Sequence, residues 1–257
     1  MPAEAVTTRP GRPDRVVVHF HGGGYCVGSA ATARVWAAHL SAAAACTVIL
    51  PEYRLAPEHP HPAALEDART VVNALRDQAG GGLVLSGDSA GAGLALALAV
   101  ALRDGGEPMP AGCVLLSPWL DLTADRAAGR ELARRDVMLT PRWLDACARA
   151  YADRSRWSDP AVSPLLAPHH GLPPLLIQAG ADDVLAPDAA RLAASASAGG
   201  VEVTYTVWPR MWHDFALQPG MLAAADSALD QAAWFVTTVT GRPRGWGAWG
   251  SNPEPTD

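Results

Sequence analysis

Short, continuous apolar runs alternate with Ala- and Leu-rich helical stretches along nearly the whole chain, and this alternation limits the folds available to it. Strands are expected at Val16–Phe20, Thr47–Leu50, Leu83–Ser86, Cys113–Ser117 and Leu175–Ala179. Helices are expected at Ala30–Ala45, Ala63–Asp77, Ala90–Asp104, Pro141–Tyr151, Asp188–Ala198 and Met221–Thr240. Thr140 stands before Pro141 as an N-cap ahead of a first-turn proline. Strands that read as unbroken apolar runs are covered on both faces, and strand–helix repeats give parallel pairing. The expected class is therefore α/β: one mainly parallel sheet with helices on both sides, in a single domain over residues 1–240. The last strand, Val201–Val207, alternates apolar and polar side chains and reads as a half-exposed edge. Residues 241–257, rich in Gly, Pro and Trp, read as a flexible tail. In such sheets ligands bind beyond the carboxyl ends of the strands, so chemistry is expected in the loops that follow them.

The sharpest such loop is in "LVLSGDSAGAGLALALAVALR", where a strand meets Gly87-Asp88-Ser89-Ala90-Gly91 and a helix begins. This is G-x-S-x-G in a strand–turn–helix setting. Bulky residues at the flanking glycines would collide with the helix or the neighbouring strand, and the turn lifts the Ser89 hydroxyl out of the sheet. It also leaves the Ala90 N–H at a helix N-terminus, able to donate to an anion. A dinucleotide-binding turn fails here, because the small residue required after Gly91-x-Gly93 falls on Leu96.

A second glycine loop, Gly22-Gly23-Gly24, follows the strand Val16–Phe20. It is not a dinucleotide loop, since the pattern needs a small residue at Val27. Nor is it a phosphate-binding P-loop, because the chain contains no lysine. The same absence removes Schiff-base chemistry and Ser–Lys nucleophile pairs. What remains is a set of N–H groups facing the Ser89 turn, suited to the negative oxygen of a tetrahedral intermediate.

A serine hydroxyl needs a base, and eight histidines are available. His213 follows the last strand in "VWPRMWHDF". His19/His21 and His59/His61 alternate as metal ligands can, but no third ligand accompanies either pair, so no metal is expected. For an acid after a strand, "LLIQAGADDVLAPD" offers Asp182, Asp183 and Asp188; Asp183, in the loop immediately beyond the strand Leu175–Ala179, is the choice and Asp182 its main competitor, and spacing alone does not separate the two. Ser89, Asp183 and His213 then run in the chain order of α/β-hydrolases. Trp212, beside the base, is the tryptophan expected at the substrate.

The net charge of −6 argues against nucleic acid or an anionic membrane as partner. No apolar run suits a membrane span, and residues 1–15 hold no signal-peptide core. Four widely spaced cysteines without a C-x-x-C pair read as reduced thiols, which fits a cytoplasmic protein.

Several stretches together resemble the hormone-sensitive lipase-like family of α/β-hydrolases, particularly its bacterial carboxylesterases: "HGGGY" (21–25), "YRLAPEHPHPAALEDA" (53–68), "GDSAG" (87–91), "SPWLDL" (117–122), "SDPAVSPL" (158–165), "GADDVLAPDAARLA" (180–193) and "WPRMWHDF" (208–215). The resemblance implies a cofactor-free carboxylic ester hydrolase acting on short-to-medium acyl esters. It places the catalytic acid on Asp183, with Leu185 two residues on, and the base on His213. The oxyanion donors fall on Gly23, Gly24 and Ala90. It further implies that His21, Glu58 and Asp88 brace the site without reacting. A lactonase or a deacetylase of a secondary metabolite would use the same residues. A non-catalytic small-molecule receptor is the other alternative, although the receptors that resemble this family lack the histidine present here. Family members usually carry a helical cap segment and a first strand before the region that "MPAEAV" resembles; the chain starts almost there, so either a later start or a truncated cap is expected. An edge strand at 201–207 would offer a homodimer contact.

Overall fold

The computed structural model describes residues 2–8, 15–80, 82–124 and 130–241. In chain order these form β1 (Ala3–Val6), β2 (Arg15–Phe20), α1 (Ala30–Ala44), β3 (Thr47–Pro51), α2 (Ala63–Ala79), β4 (Gly82–Asp88), α3 (Ser89–Asp104), β5 (Gly112–Leu116), α4 (Arg130–Arg135), α5 (Pro141–Tyr151), β6 (Leu175–Gly180), α6 (Ala186–Ala198), β7 (Val203–Trp208) and α7 (Ala223–Gly241). The seven strands make one sheet in the order β1-β3-β2-β4-β5-β6-β7. Every neighbouring pair is parallel except β1 with β3.

Burial explains why the strands read as they do. β4 and β5 are buried along their whole length, since helices cover both faces of the sheet. One apolar layer holds Trp36 and Leu40 of α1 with Leu229 and Val236 of α7, against Val17, Val84 and Val114 of the sheet. The opposite layer packs α2, α3, α5 and α6 over Val18, Leu85, Leu115 and Ile177. α3 is buried on almost every side, which accounts for its nearly unbroken apolar sequence.

β7 is the outermost strand, as its alternating pattern suggests. The other edge, β1, is not anticipated: it is four residues of Ala, Glu and Val lying antiparallel along β3. The expected tail falls, beyond Gly241, outside the described residues. Among the described residues no helix is long and apolar enough to cross a membrane.

The start of α5 matches its expected cap. Thr140 is extended (φ −123°), its hydroxyl accepts from the Trp143 N–H at 3.2 Å, and Pro141 opens the helix. Thr140→Ala should therefore cost about 1 kcal/mol, lowering the melting temperature by roughly 2–4 °C without loss of helical signal at low temperature. Thermal denaturation followed by circular dichroism checks this.

Candidate active site

β4 ends in extended backbone at Asp88, and Ser89 then turns to φ +51° to open α3. An L-residue held there costs on the order of 1 kcal/mol or more, so its surroundings must impose it. They do so by close approach. A side-chain carbon at Gly91 would run into the Phe20 carbonyl oxygen, and one at Gly87 into the backbone of Gly91. From the far side, the Trp119 N–H donates to the Ser89 carbonyl at 3.0 Å. The Ser89 hydroxyl makes no hydrogen bond with any described residue.

The glycine loop is tied to this turn through Asp88. One carboxylate oxygen accepts from the Gly22 N–H at 2.9 Å, and the other pairs with His19 Nε2 at 3.0 Å. His19 Nδ1 lies 3.0 Å from the Ser86 hydroxyl, so both termini of this brace sit on β2 and β4. His21 Nδ1 donates to the Gly22 carbonyl at 2.7 Å while its ring stacks on Tyr53. Burial pushes the His21 imidazole below the usual histidine range, which suits a neutral structural ring. Gly23 (φ +112°) and Gly24 (φ +63°) take conformations closed to most side chains. Their N–H groups donate to no described residue. The Ala90 N–H lies in the first turn of α3, where no earlier helical carbonyl is available to it. Of these, Ala90 follows Ser89 directly in the chain, and the glycine loop approaches Ser89 through Gly22, where an added side-chain carbon would lie 3.1 Å from the Ser89 Cβ. His21 and Asp88 occupy the bracing positions implied for them. Glu58 does not: it is exposed and makes no hydrogen bond with a described residue.

Beyond the other strands, the loop after β7 is stitched to the loop after β6. Ala181 N–H donates to the Trp208 carbonyl and Asp182 N–H to the Met211 carbonyl, both at 2.9 Å. This sets His213 over Asp183, with Nδ1 at 3.1 and 3.2 Å from the two carboxylate oxygens. Asp183 is fully buried, and its Oδ1 also accepts from the Leu185 N–H at 2.8 Å. Asp182 points elsewhere, 3.6 Å from Arg135. Asp188 is structural: its Oδ2 receives the N–H groups of Leu120 and Asp121 at 2.9 and 3.1 Å, shaping the loop that carries Trp119. Of the two acids that spacing left open, geometry brings only Asp183 to His213.

The roles of Ser117, Asp214 and the Trp119 backbone at the site have no signal in the sequence. Trp119 walls a cavity of about 300 Å³ with Leu122, Leu144, Ala148 and Trp157, and its backbone holds the Ser89 turn. Trp212, expected at the substrate, is half-buried and packs against the apolar layer that includes α1 and α7. Ser117, at the end of β5, accepts the Asp214 N–H at 3.0 Å. Asp214 itself turns back (φ +56°) and sets Oδ2 3.1 Å from His213 Nε2. His213 therefore lies between two carboxylates. Burial works against a charged imidazole, but Asp214 and Asp183 together overrule it and hold its pKa well above the usual histidine value. Burial also raises the Asp214 carboxyl above the usual carboxylate range, with Asp88 and Asp183 adding to the rise against the pull of His213.

Residues 17–217 match a family described as having the alpha/beta hydrolase fold. An acetyl-hydrolase of Streptomyces hygroscopicus is 39% identical over 236 residues, covering 91% of this chain and 79% of the relative. An esterase of Acinetobacter venetianus is 36% identical over 228 residues, covering 88% of this chain and 75% of the relative. Among solved structures, an esterase from the bacterial hormone-sensitive lipase family superposes with a TM-score of 0.88 at 38% identity, covering 93% of this chain and 82% of the other. The chain therefore belongs to the α/β-hydrolase fold family, among its hormone-sensitive lipase-like esterases.

Proposed function

We propose that this protein is a carboxylic ester hydrolase in which Ser89 is the nucleophile, His213 the base and Asp183 the residue that orients it. The observation that carries this is the pairing of a hydroxyl held at a strained strand–helix turn with a buried His–Asp couple at neighbouring strand ends. Ser89 attacks the ester carbonyl while His213 Nε2 takes the hydroxyl proton. Asp183 fixes Nδ1–H and so leaves Nε2 as the accepting nitrogen. The N–H groups of Gly23, Gly24 and Ala90 receive the negative oxygen as the tetrahedral intermediate forms. The imidazolium then protonates the leaving alcohol. Water, activated by His213, releases the acyl group and restores Ser89.

The relatives named acetyl-hydrolase and esterase favour a small acyl group on a small-molecule ester. The same proposal includes a homodimer built on the outer edge of β7, which has no strand partner among the described residues.

A fluorophosphonate probe should react once per chain, with the adduct mapped by mass spectrometry to the peptide holding Ser89. In a p-nitrophenyl ester series, kcat/KM should be highest for short acyl chains and fall as they lengthen. Labelling elsewhere, or a maximum at long chains, would overturn the assignment of nucleophile or substrate class respectively.

A further inference from the structure

His213 is committed on both sides. Nδ1 faces Asp183, as a base of this kind requires, but Nε2 faces Asp214 Oδ2 at 3.1 Å and not the Ser89 hydroxyl. The Asp214 carboxylate is held in that place. Its own N–H is fixed on Ser117, its backbone is left-handed, and it is buried. Its second oxygen, Oδ1, is buried with no partner among the described residues, a cost that favours a turn of the carboxylate toward solvent once the Nε2 contact is lost.

We propose that Asp214 is a positioning residue of the reaction: it takes the Nε2–H of His213 in the free enzyme and must give up that contact before Ser89 can pass its proton to Nε2. This deepens the proposed function and rests on His213 being the base.

The proton balance is simple. In the closed arrangement the imidazolium donates Nδ1–H to Asp183 and is ion-paired through Nε2 with the Asp214 carboxylate. When the Nε2 proton moves to solvent, or to Asp214 as its carboxylic acid, the nitrogen lone pair is exposed. A turn of the Asp214 side chain then opens the path to the Ser89 hydroxyl. The charges facing the imidazole are Asp183 from the β6–α6 loop and Asp214 from its own loop. Asp88 at the end of β4, already paired with His19, faces Asp214. Two carboxylates on one imidazole favour its protonated form more than Asp183 alone would. The native enzyme should therefore be held back at neutral and mildly acidic pH and released as pH rises.

Two substitutions test this without demanding a new fold. Asp214→Asn keeps the shape and tolerates the left-handed backbone, and Asp214→Gly suits that backbone better still. In both, the rising limb of kcat/KM for p-nitrophenyl acetate should move toward acid, raising the rate at pH 6 on the order of tenfold while the rate at pH 9 changes little. The ¹⁵N NMR titration of His213, followed in the same proteins, should move in the same direction. A role in stability alone would change melting and leave both profiles in place. If the wild-type and variant profiles and the His213 titrations coincide, the proposal is overturned. If the wild-type protein hydrolyses no ester, the functional reading fails instead, and the NMR titration still decides whether Asp214 holds Nε2.

Discussion

Ser89→Ala should fold like the wild-type protein and lose ester turnover by on the order of 10⁶-fold. Both halves of that expectation come from the same turn. The Ser89 hydroxyl makes no hydrogen bond with a described residue, so its removal leaves no buried group unpaired. Alanine keeps the Cβ that already occupies the left-handed conformation, so the turn gains no new strain. The Gly23, Gly24 and Ala90 donors remain, and water attack assisted by them accounts for the residual rate. An unchanged melting temperature with near-complete loss of p-nitrophenyl butyrate hydrolysis would isolate the nucleophile. Retention of even a tenth of the wild-type kcat would place the nucleophile elsewhere.

The elements that carry this chemistry could be read from the chain because each obeys a strong local rule. β4 as far as Leu85 and β5 throughout had to be apolar, lying between two helical layers. The Ser89 turn announced itself through glycines at the two positions where backbone approaches backbone. β7 betrayed its exposed edge by alternation. The features that were missed depend on partners distant in sequence. β1 has weak strand propensity and forms because β3 offers an open edge. α4 is a short charged helix without an apolar stripe, so no period reveals it. "WHDF" shows an aspartate after the base, but only the left-handed turn at Asp214 brings it back onto Nε2. Trp119 matters through its backbone bond to Ser89, which no sequence pattern encodes. Glu58 was assigned a bracing role by resemblance alone, and that role is filled here by Asp88 with His19.

Asp183→Asn should lower kcat by about 10⁴-fold, close to 5.5 kcal/mol of transition-state stabilisation, whereas Asp182→Asn should change it by less than about threefold. The two residues are adjacent, so the contrast tests geometry and not composition. The amide introduced by Asp183→Asn would face His213 Nδ1 and favour the tautomer that carries its proton on Nε2, which cannot accept from Ser89. The same change removes the charge that stabilises the imidazolium formed during attack. Asp214 cannot substitute, because it faces the opposite ring nitrogen. Asp183 is buried and receives the Leu185 N–H, which an asparagine oxygen can still accept, so the fold should survive the change. Asp182, by contrast, is partly exposed with its carboxylate 3.6 Å from Arg135, and a surface pair of that kind contributes at most about 1 kcal/mol to stability and nothing to the reacting atoms. Steady-state kinetics of the two variants with one short ester decide the matter. Equal losses would mean that the loop after β6 acts as a unit, and a larger loss at Asp182 would move the orienting acid by one residue and with it the whole hydrogen-bonded path from Asp183 through His213 to Ser89.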